Sequence, residues 1–484
     1  MDYKIKPLRW ILLLFAILYS SISLVNHYNF RTAGWDLGLF NNAIYDYAHF
    51  HWNDPTLLLP NHIKNTLADH FSLLPILFSP FYWLFGSWTL LIIQIAGVLF
   101  GGIGIFKLIH KLTQNDKLSV LATIFFYSLW GVYSALSFDY HDNVMAAMFV
   151  PWFIYFAICK RWGWAILFYL LILISKENIA IWLAFICLGM ILIHWKEKLQ
   201  VRIFAALGIF AGIYFIVVVK IIIPALGNDY VHFSYDALGS SFKEALITML
   251  TKPRYIFTLL FENHTKAMEA FGIKSELHFV VLLSGGIALL FKPQYLVMLI
   301  PIYAQKLFNN DFGKWGINGQ YSIEFVPILT IALFVWINEF QEKYKFIAAR
   351  VFLLVAIVIT ISMLDNRVSK WYSPEYSRFY QKDHYVRNFD VRKVYKSLKL
   401  IPDDASISAQ WMLISHLSFR EKIYQYPFTG DANYIVLLPI DTNTYPASKE
   451  EYTKNISDLK NSPEWEVVVD DGTVLIFKKR SFKL

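Results

Sequence analysis

Acids, histidines and amides crowd together in a chain that is otherwise apolar. The stretch "GWDLGLFNNAIYDYAHFHWNDP" and its continuation "LADHFSLLP" hold Asp36, Asp46, Asp54 and Asp69, with His49, His51 and His70 among them, His62 between the two stretches and His27 just upstream. Further on, "FDYHDN" supplies Asp139, His141 and Asp142, "SKEN" supplies Lys176 and Glu177, and "GQYSIEF" supplies Gln320, Tyr321 and Glu324. A carboxylate near a reacting hydroxyl can take its proton, and imidazoles with a carboxylate can bind zinc. Each group also has a purely structural reading. Asp36 can cap a helix beginning "LGLFNNAIYDY"; His141 and Asp142 can cap a tight turn; Lys176 and Glu177 can neutralise one another at a helix end. His49 and His51 suit the headgroup layer, and "HFH" followed by distant His62 and His70 lacks the spacing of a helical zinc site.

The elements that must position these groups are membrane helices. The chain has 484 residues, of which 56% are hydrophobic and 18% aromatic, outside the range of a soluble domain of this size. Apolar stretches long enough to span a bilayer recur as far as position 364 and then stop. The net charge of +8 does not call for nucleic acid, because much of the Lys and Arg flanks the apolar segments, where lipid headgroups and the positive-inside rule explain it. Cys159 and Cys187 lie inside apolar runs without metal or redox spacing, so they carry no predicted chemistry.

Lys4, Lys6 and Arg9 precede "WILLLFAILYSSISLV", read as a retained first helix from about Trp10 to Val25 with its N-terminus in the cytoplasm. Basic loops at Lys107, Lys111 and Lys117, at Lys160 and Arg161, and at Lys196, Lys198 and Arg202 then fall inside. Segments 26–87, 137–143 and 227–275 fall outside. Of these, 70–87 is broken by Pro75 and Pro80 into an interfacial or re-entrant piece, and 240–271 holds two short helices. Eleven or so spans over residues 1–364 place residues 365–484 outside. There the apolar runs "ASISA", "KIYQYP", "NYIVLLPI", "EWEVVVD" and "TVLIFKK" shorten to strand length, helical patterns occupy 410–418 and 448–461, and "DDG" at 470–472 signals a hairpin. The expected fold is a polytopic α-helical membrane domain followed by a small α/β extracytoplasmic domain. In this topology all the unexplained polar groups face one side of the membrane, a costly arrangement that calls for a function.

Five segments in order, "GWDLGLFNNAIYDY", "LADHFSLLPILFSPFYWLF", "FDYHDNVMAAMFVPW", "LLILISKENIAIWLA" and "QYSIEFVPILTIALF", resemble a bacterial family of predicted membrane proteins, domain of unknown function 2079. That family is similar to the GT-C glycosyltransferases, such as protein O-mannosyltransferases and aminoarabinose transferases. Two positions depart from the family pattern: His141-Asp142 stands where His-Pro-Glu is expected, and Asn178 where Asp is expected.

The resemblance implies a glycosyltransferase of the bacterial cytoplasmic membrane, moving a sugar from a polyprenyl-phosphate carrier to an extracytoplasmic glycan, lipid or protein acceptor. Asp36 occupies the place of the acid that such enzymes carry just beyond the first helix, and would be the base. Lys176 would hold the leaving phosphate, with Arg254 and His70 as further candidates. Asp69, Asp139, His141, Asp142, Glu177, Gln320, Tyr321 and Glu324 would border the substrates. Trp35, Tyr45, Tyr82 and Trp83 would pack along sugar or prenyl chain. No Gly-rich phosphate loop is present, which disfavours direct use of a nucleotide sugar. No cofactor is predicted, and a divalent metal is compatible with the acids. Two rival functions remain open. One is a flippase for a lipid-linked glycan, for which Lys220 and Gln94 are the nearest intramembrane polar candidates; the other is a noncatalytic envelope-polymer assembly protein.

Overall fold

The computed structural model describes residues 6–369 and 374–482, so Lys4 and a few residues of the 365–484 segment lie outside the described chain. Four helical stretches are long and apolar enough to cross a membrane: Pro7–Tyr28, Leu74–Thr113, Lys198–Ala225 and Glu342–Asp365. Asp116–Ser128 and Trp130–Leu136, bent by 43°, can form one more broken span. Asp142–Ile158, Trp162–Leu173, Ile179–Ile193 and Phe325–Ile337 are apolar but shorter. Hydropathy therefore marks more crossings than helix length supports. Trp162–Leu173 has 12 residues, well short of the roughly 20 that a hydrocarbon core of about 30 Å takes.

Asp142–Ile158 sits at the centre, with every residue from Asp142 to Ile154 buried. It lies close against Thr89–Thr113 because Gly97 and Gly101, one turn apart, leave room for Met145 and Met148. A Cβ on either glycine would come within 2.7 Å of the facing methionine sulfur. This close packing fixes the start of the central helix, where Asp142 sits. The Pro75 and Pro80 segment is a run of short helical turns that ends at Gly86, whose φ of 53° suits glycine.

Beyond the last long helix the strands fall within the five short apolar runs: β1 (Ile407–Ala409), β2 (Ile423–Gln425), β3 (Tyr434–Leu437), β4 (Trp465–Asp470) and β5 (Leu475–Lys479). They form one sheet in the order β2-β1-β3-β5-β4. β1 runs parallel to β2 and β3, whereas β5 is antiparallel to β3 and β4. Gly472, with φ of 76°, turns the chain between β4 and β5. Helices Trp411–Leu417 and Lys449–Asn461 occupy the two patterned segments, and Val391–Leu398 adds a helix the sequence reading did not mark.

The sheet does not close its own core. Phe30, Leu39, Leu57 and Leu58 of the first polar loop pack in one apolar cluster with Ile407, Leu413, Ile414 and Val436. Polar contacts follow the same seam. The Asn41 amide donates to the Ser415 carbonyl at 2.9 Å, and the Asn42 amide to the Ser418 and Arg420 carbonyls at 3.0 and 2.9 Å. Thr56 exchanges hydrogen bonds with the backbone of Ile423. Buried Arg31 spreads its guanidinium over the carbonyls of Glu375, Asp383, His384 and Val386. The first loop and the C-terminal module are thus one packed unit.

Candidate functional site

The turn that carries Asp36 is built from both sides. From Gly34 to Gly38 the chain makes a single wide helical turn, and helix Trp411–Leu417 lies against it. A Cβ at Gly34 would come 2.8 Å from Ile414 Cδ1, and one at Gly38 would come 2.7 Å from Ile414 Cγ2. On the other side the buried Asp139 carboxylate accepts the Ala33 N–H at 2.7 Å and the Leu37 N–H at 3.5 Å. Burial, and then the nearby Asp36, push the Asp139 carboxyl up. Asp36 does not cap the following helix: Gly38 holds that position and no side chain caps it. Instead, Asp36 Oδ1 lies 3.1 Å from His141 Nε2. His141 is in turn held by the Gln94 side chain, which accepts its backbone N–H at 2.9 Å. The side chain of His141 is nearly buried, whereas that of Asp36 is 31% exposed, so the pair has one open end.

That end opens into a cavity of about 560 Å³. Of the residues expected at the site, Asp36, Asp69, His70, His141, Asp142, Lys176, Gln320 and Tyr321 line it. Asp139, Glu177 and Glu324 stand behind the wall as supports. Glu177 accepts His70 Nδ1 at 3.1 Å and the Phe71 N–H at 3.0 Å; Glu324 accepts the Asn143 amide at 2.8 Å. Arg254 is not brought in. It is exposed on the helix Pro253–Leu259, which packs toward Ile273–Val281 and turns Arg254 outward.

Lys176 differs from the pair expected for it. Glu177 turns to His70, and the Lys176 ammonium has no hydrogen bond or salt bridge among the described residues. Its charge still acts on its surroundings. Burial raises the Asp69 carboxyl, but the His232 hydrogen bond and the charges of His70, His232 and Lys176 outweigh this and hold it at about 2. Glu177 is likewise held at about 2, with His70 foremost against burial. Burial, then Lys176 and His232, push His70 down to about 4, so at neutral pH it is an uncharged imidazole beside ionised carboxylates. Lys314, whose Nζ stands 5.9 Å over the Tyr321 ring, is pushed down by burial and by the charge of Lys176. Lys176 thus presents to the cavity an ammonium without a hydrogen bond or salt bridge among the described residues, its charge shared by Asp69, Asp142 and Glu177, while Lys314 has Asp311 as its own charged neighbour.

Among the lining residues that the sequence did not mark for chemistry are His232 and Trp411. His232 Nε2 donates to Asp69 Oδ1 at 3.1 Å, and its ring stacks on His70 at 3.9 Å. Flanked by aromatics in "DYVHFSYD", it lies in a loop without periodicity. Trp411, at the start of a helix in the C-terminal module, faces Trp35 with ring centroids 6.3 Å apart. Asp69, His70 and His232 bring three donor atoms within 4.8 Å of one another. The two imidazole planes differ by only 18°, however, so their in-plane lone pairs cannot meet at one ion until a ring turns. His49, His51 and His62 do not line the cavity; His49 packs on Trp83 at 4.9 Å.

No curated protein matches the chain. Among solved structures, ArnT from Cupriavidus metallidurans bound to undecaprenyl phosphate is similar at 13% identity and a TM-score of 0.47, over 95% of this chain and 97% of that one. Residues 26–475 match the family described as predicted membrane protein DUF2079. With the match running from the first polar loop to the start of the last strand, the chain belongs to the DUF2079 family of predicted membrane proteins.

Proposed function

We propose that the cavity is the active site of a GT-C-like glycosyltransferase that uses a sugar carried on a polyprenyl phosphate. The observation that carries this reading is the pairing of Asp36 with His141 in the same cavity as Lys176, which has no hydrogen bond or salt bridge among the described residues. An acceptor hydroxyl positioned at Asp36 attacks the anomeric carbon, and its proton passes to the carboxylate. The bond from that carbon to the phosphate oxygen breaks, and the polyprenyl phosphate leaves with its charge facing Lys176 and Lys314. His141 orients the Asp36 carboxylate, and Asp139 holds the turn beneath it by two backbone N–H groups.

In this reading the cavity opens on the extracytoplasmic side of the bacterial cytoplasmic membrane, about eleven segments cross or enter the bilayer, and residues 365–484 stand outside as the acceptor-side module. The acceptor is an envelope glycan, lipid or protein; no resident cofactor is required, and a divalent ion beside the phosphate is compatible with the scheme. The test uses the purified protein in lipid with synthetic polyprenyl-phosphate sugars and envelope acceptors. Asp36→Asn keeps the size and the contact with His141 but removes the base, and is expected to lower transfer by about a hundredfold or more while the protein stays folded. Undiminished transfer by the folded variant would sink the assignment.

A further inference from the structure

Arg254 was singled out for chemistry, yet it sits on a surface that the cavity does not use. The helices Phe242–Thr251 and Pro253–Leu259, with the segment running on to Phe271, form a hairpin whose outer face is apolar and bare. Phe242, Leu246 and Leu250 repeat every four residues along one stripe. Exposure reaches 74% at Leu250, 90% at Met268 and 82% at Phe271, and Phe257 is also open. Isolated apolar residues on a surface need no explanation; a run of this density does.

The hairpin is fixed rather than loose. Ala245 and Leu259 are buried beneath it, Lys274 Nζ donates to the Leu259 carbonyl at 2.5 Å, and His278 Nε2 meets the Leu260 carbonyl at 2.9 Å. Its inner face is therefore already satisfied, and the outer stripe is a separate feature. Lys243, Lys252, Arg254 and Lys266 are all exposed, and none makes an ion pair among the described residues. The acid nearest the first helix turn, Glu244, is occupied by Ser240, whose N–H and hydroxyl donate to it at 2.8 and 3.0 Å. Lys243, Lys252, Arg254 and Lys266 outnumber Glu244, Glu262 and Glu269, and a net positive element beside a bare apolar stripe fits anionic headgroups above acyl chains.

We propose that residues 242–271 lie in the membrane interface, with Leu250 and Phe257 among acyl chains and Lys252 and Arg254 at anionic headgroups. The chain leading into this element carries Val231 and His232 to the cavity lining and is tied to the element by the Tyr255 hydroxyl, which donates to the Ala237 carbonyl at 3.0 Å. Lipid contact there would set the height of that wall relative to the headgroups, whatever reaction the cavity performs.

Nitroxide accessibility tests this without any substrate. Cys159 is replaced by Ala, Cys187 is fully buried and stays unlabelled, and single Leu250→Cys, Phe257→Cys and Lys449→Cys variants are spin-labelled. The full chain is reconstituted in vesicles of phosphatidylethanolamine and phosphatidylglycerol. At 250 and 257 the ratio of oxygen to nickel-chelate collision rates should exceed that at the exposed control 449 several-fold. Replacing Lys252 and Arg254 by Gln should reduce the ratio at 250. Strong access for the nickel chelate means a water-facing hairpin, and low access for both reagents means a protein contact such as a second copy; either result overturns the proposal.

Discussion

Replacing Asp46 with Asn should make the protein more stable, increasingly so as pH rises from 3.8 to about 7. Asp46 lies on the helix Leu39–Ala48, buried against the C-terminal module, and burial first, then Asp54 and Glu421, raise its carboxyl from the ordinary 3.8 to about 7. The folded chain thus favours the protonated acid. For a group raised in this way, the stabilisation is fully present below 3.8 and is lost as pH rises through about 7. Between about pH 5 and about pH 8 the loss from this single group comes to roughly 3 kcal/mol, taking 1.36 kcal/mol for each tenfold change in proton affinity. Asparagine has nearly the same shape and never ionises, so it removes that slope. Thermal unfolding in detergent, followed by intrinsic fluorescence across this pH range, isolates the effect as the difference between variant and parent, in which other titrating groups cancel. Hydrogen exchange at residues 418–425 should show where it acts, because the neighbouring Asn42 binds the Ser418 and Arg420 carbonyls. An Asn variant with the parent's pH slope would refute the argument.

The remaining predictions concern the cavity. On the proposed reading, Lys176→Gln removes a charge-assisted contact to the carrier phosphate and should weaken binding of a polyprenyl phosphate by about 1.5–3 kcal/mol, roughly ten- to a hundredfold in Kd, with a shallower salt dependence, measured by titration in nanodiscs. Gly38→Ala drives a methyl into Ile414 Cγ2 and should cost about 1–3 kcal/mol in unfolding measurements. Much of that cost should be absent when Gly38→Ala is introduced into an Ile414→Ala background, as a double-mutant cycle would report.

The sequence carried the parts whose signal is local. Strand-length apolar runs and the Asp471-Gly472 turn located the five strands, because alternation and a positive-φ glycine are written into neighbouring residues. Asp36, His141 and Lys176 were legible as polar groups without a hydropathic reason, and they line one cavity. What stayed hidden depends on partners far along the chain. Glu177 meets His70 across 107 positions, so its adjacency to Lys176 was misleading. Trp411 reads as an ordinary amphipathic-helix residue until its module docks on the Asp36 turn. Arg254 was drawn toward the site by its charge alone, and the fold leaves it exposed on the helix Pro253–Leu259, away from the cavity. Helix count is less legible for a different reason: hydropathy registers an apolar run whether it is long or short, whereas four helical stretches, or five with the bent pair, are long and apolar enough to cross among the described residues.

The seam between the first loop and the C-terminal module also has a consequence in time. Asn41 waits for Ser415, 374 positions later. At about 5–20 residues per second, a ribosome needs from roughly twenty seconds to over a minute to supply that partner. Throughout this interval Phe30, Leu39, Leu57 and Leu58 have no sheet to cover them, and the turn bearing Asp36 lacks the helix against which Gly34 and Gly38 are shaped. The turn bearing Asp36 therefore takes its final form only when the last part of the chain emerges, so on the proposed reading a half-made protein has no finished site.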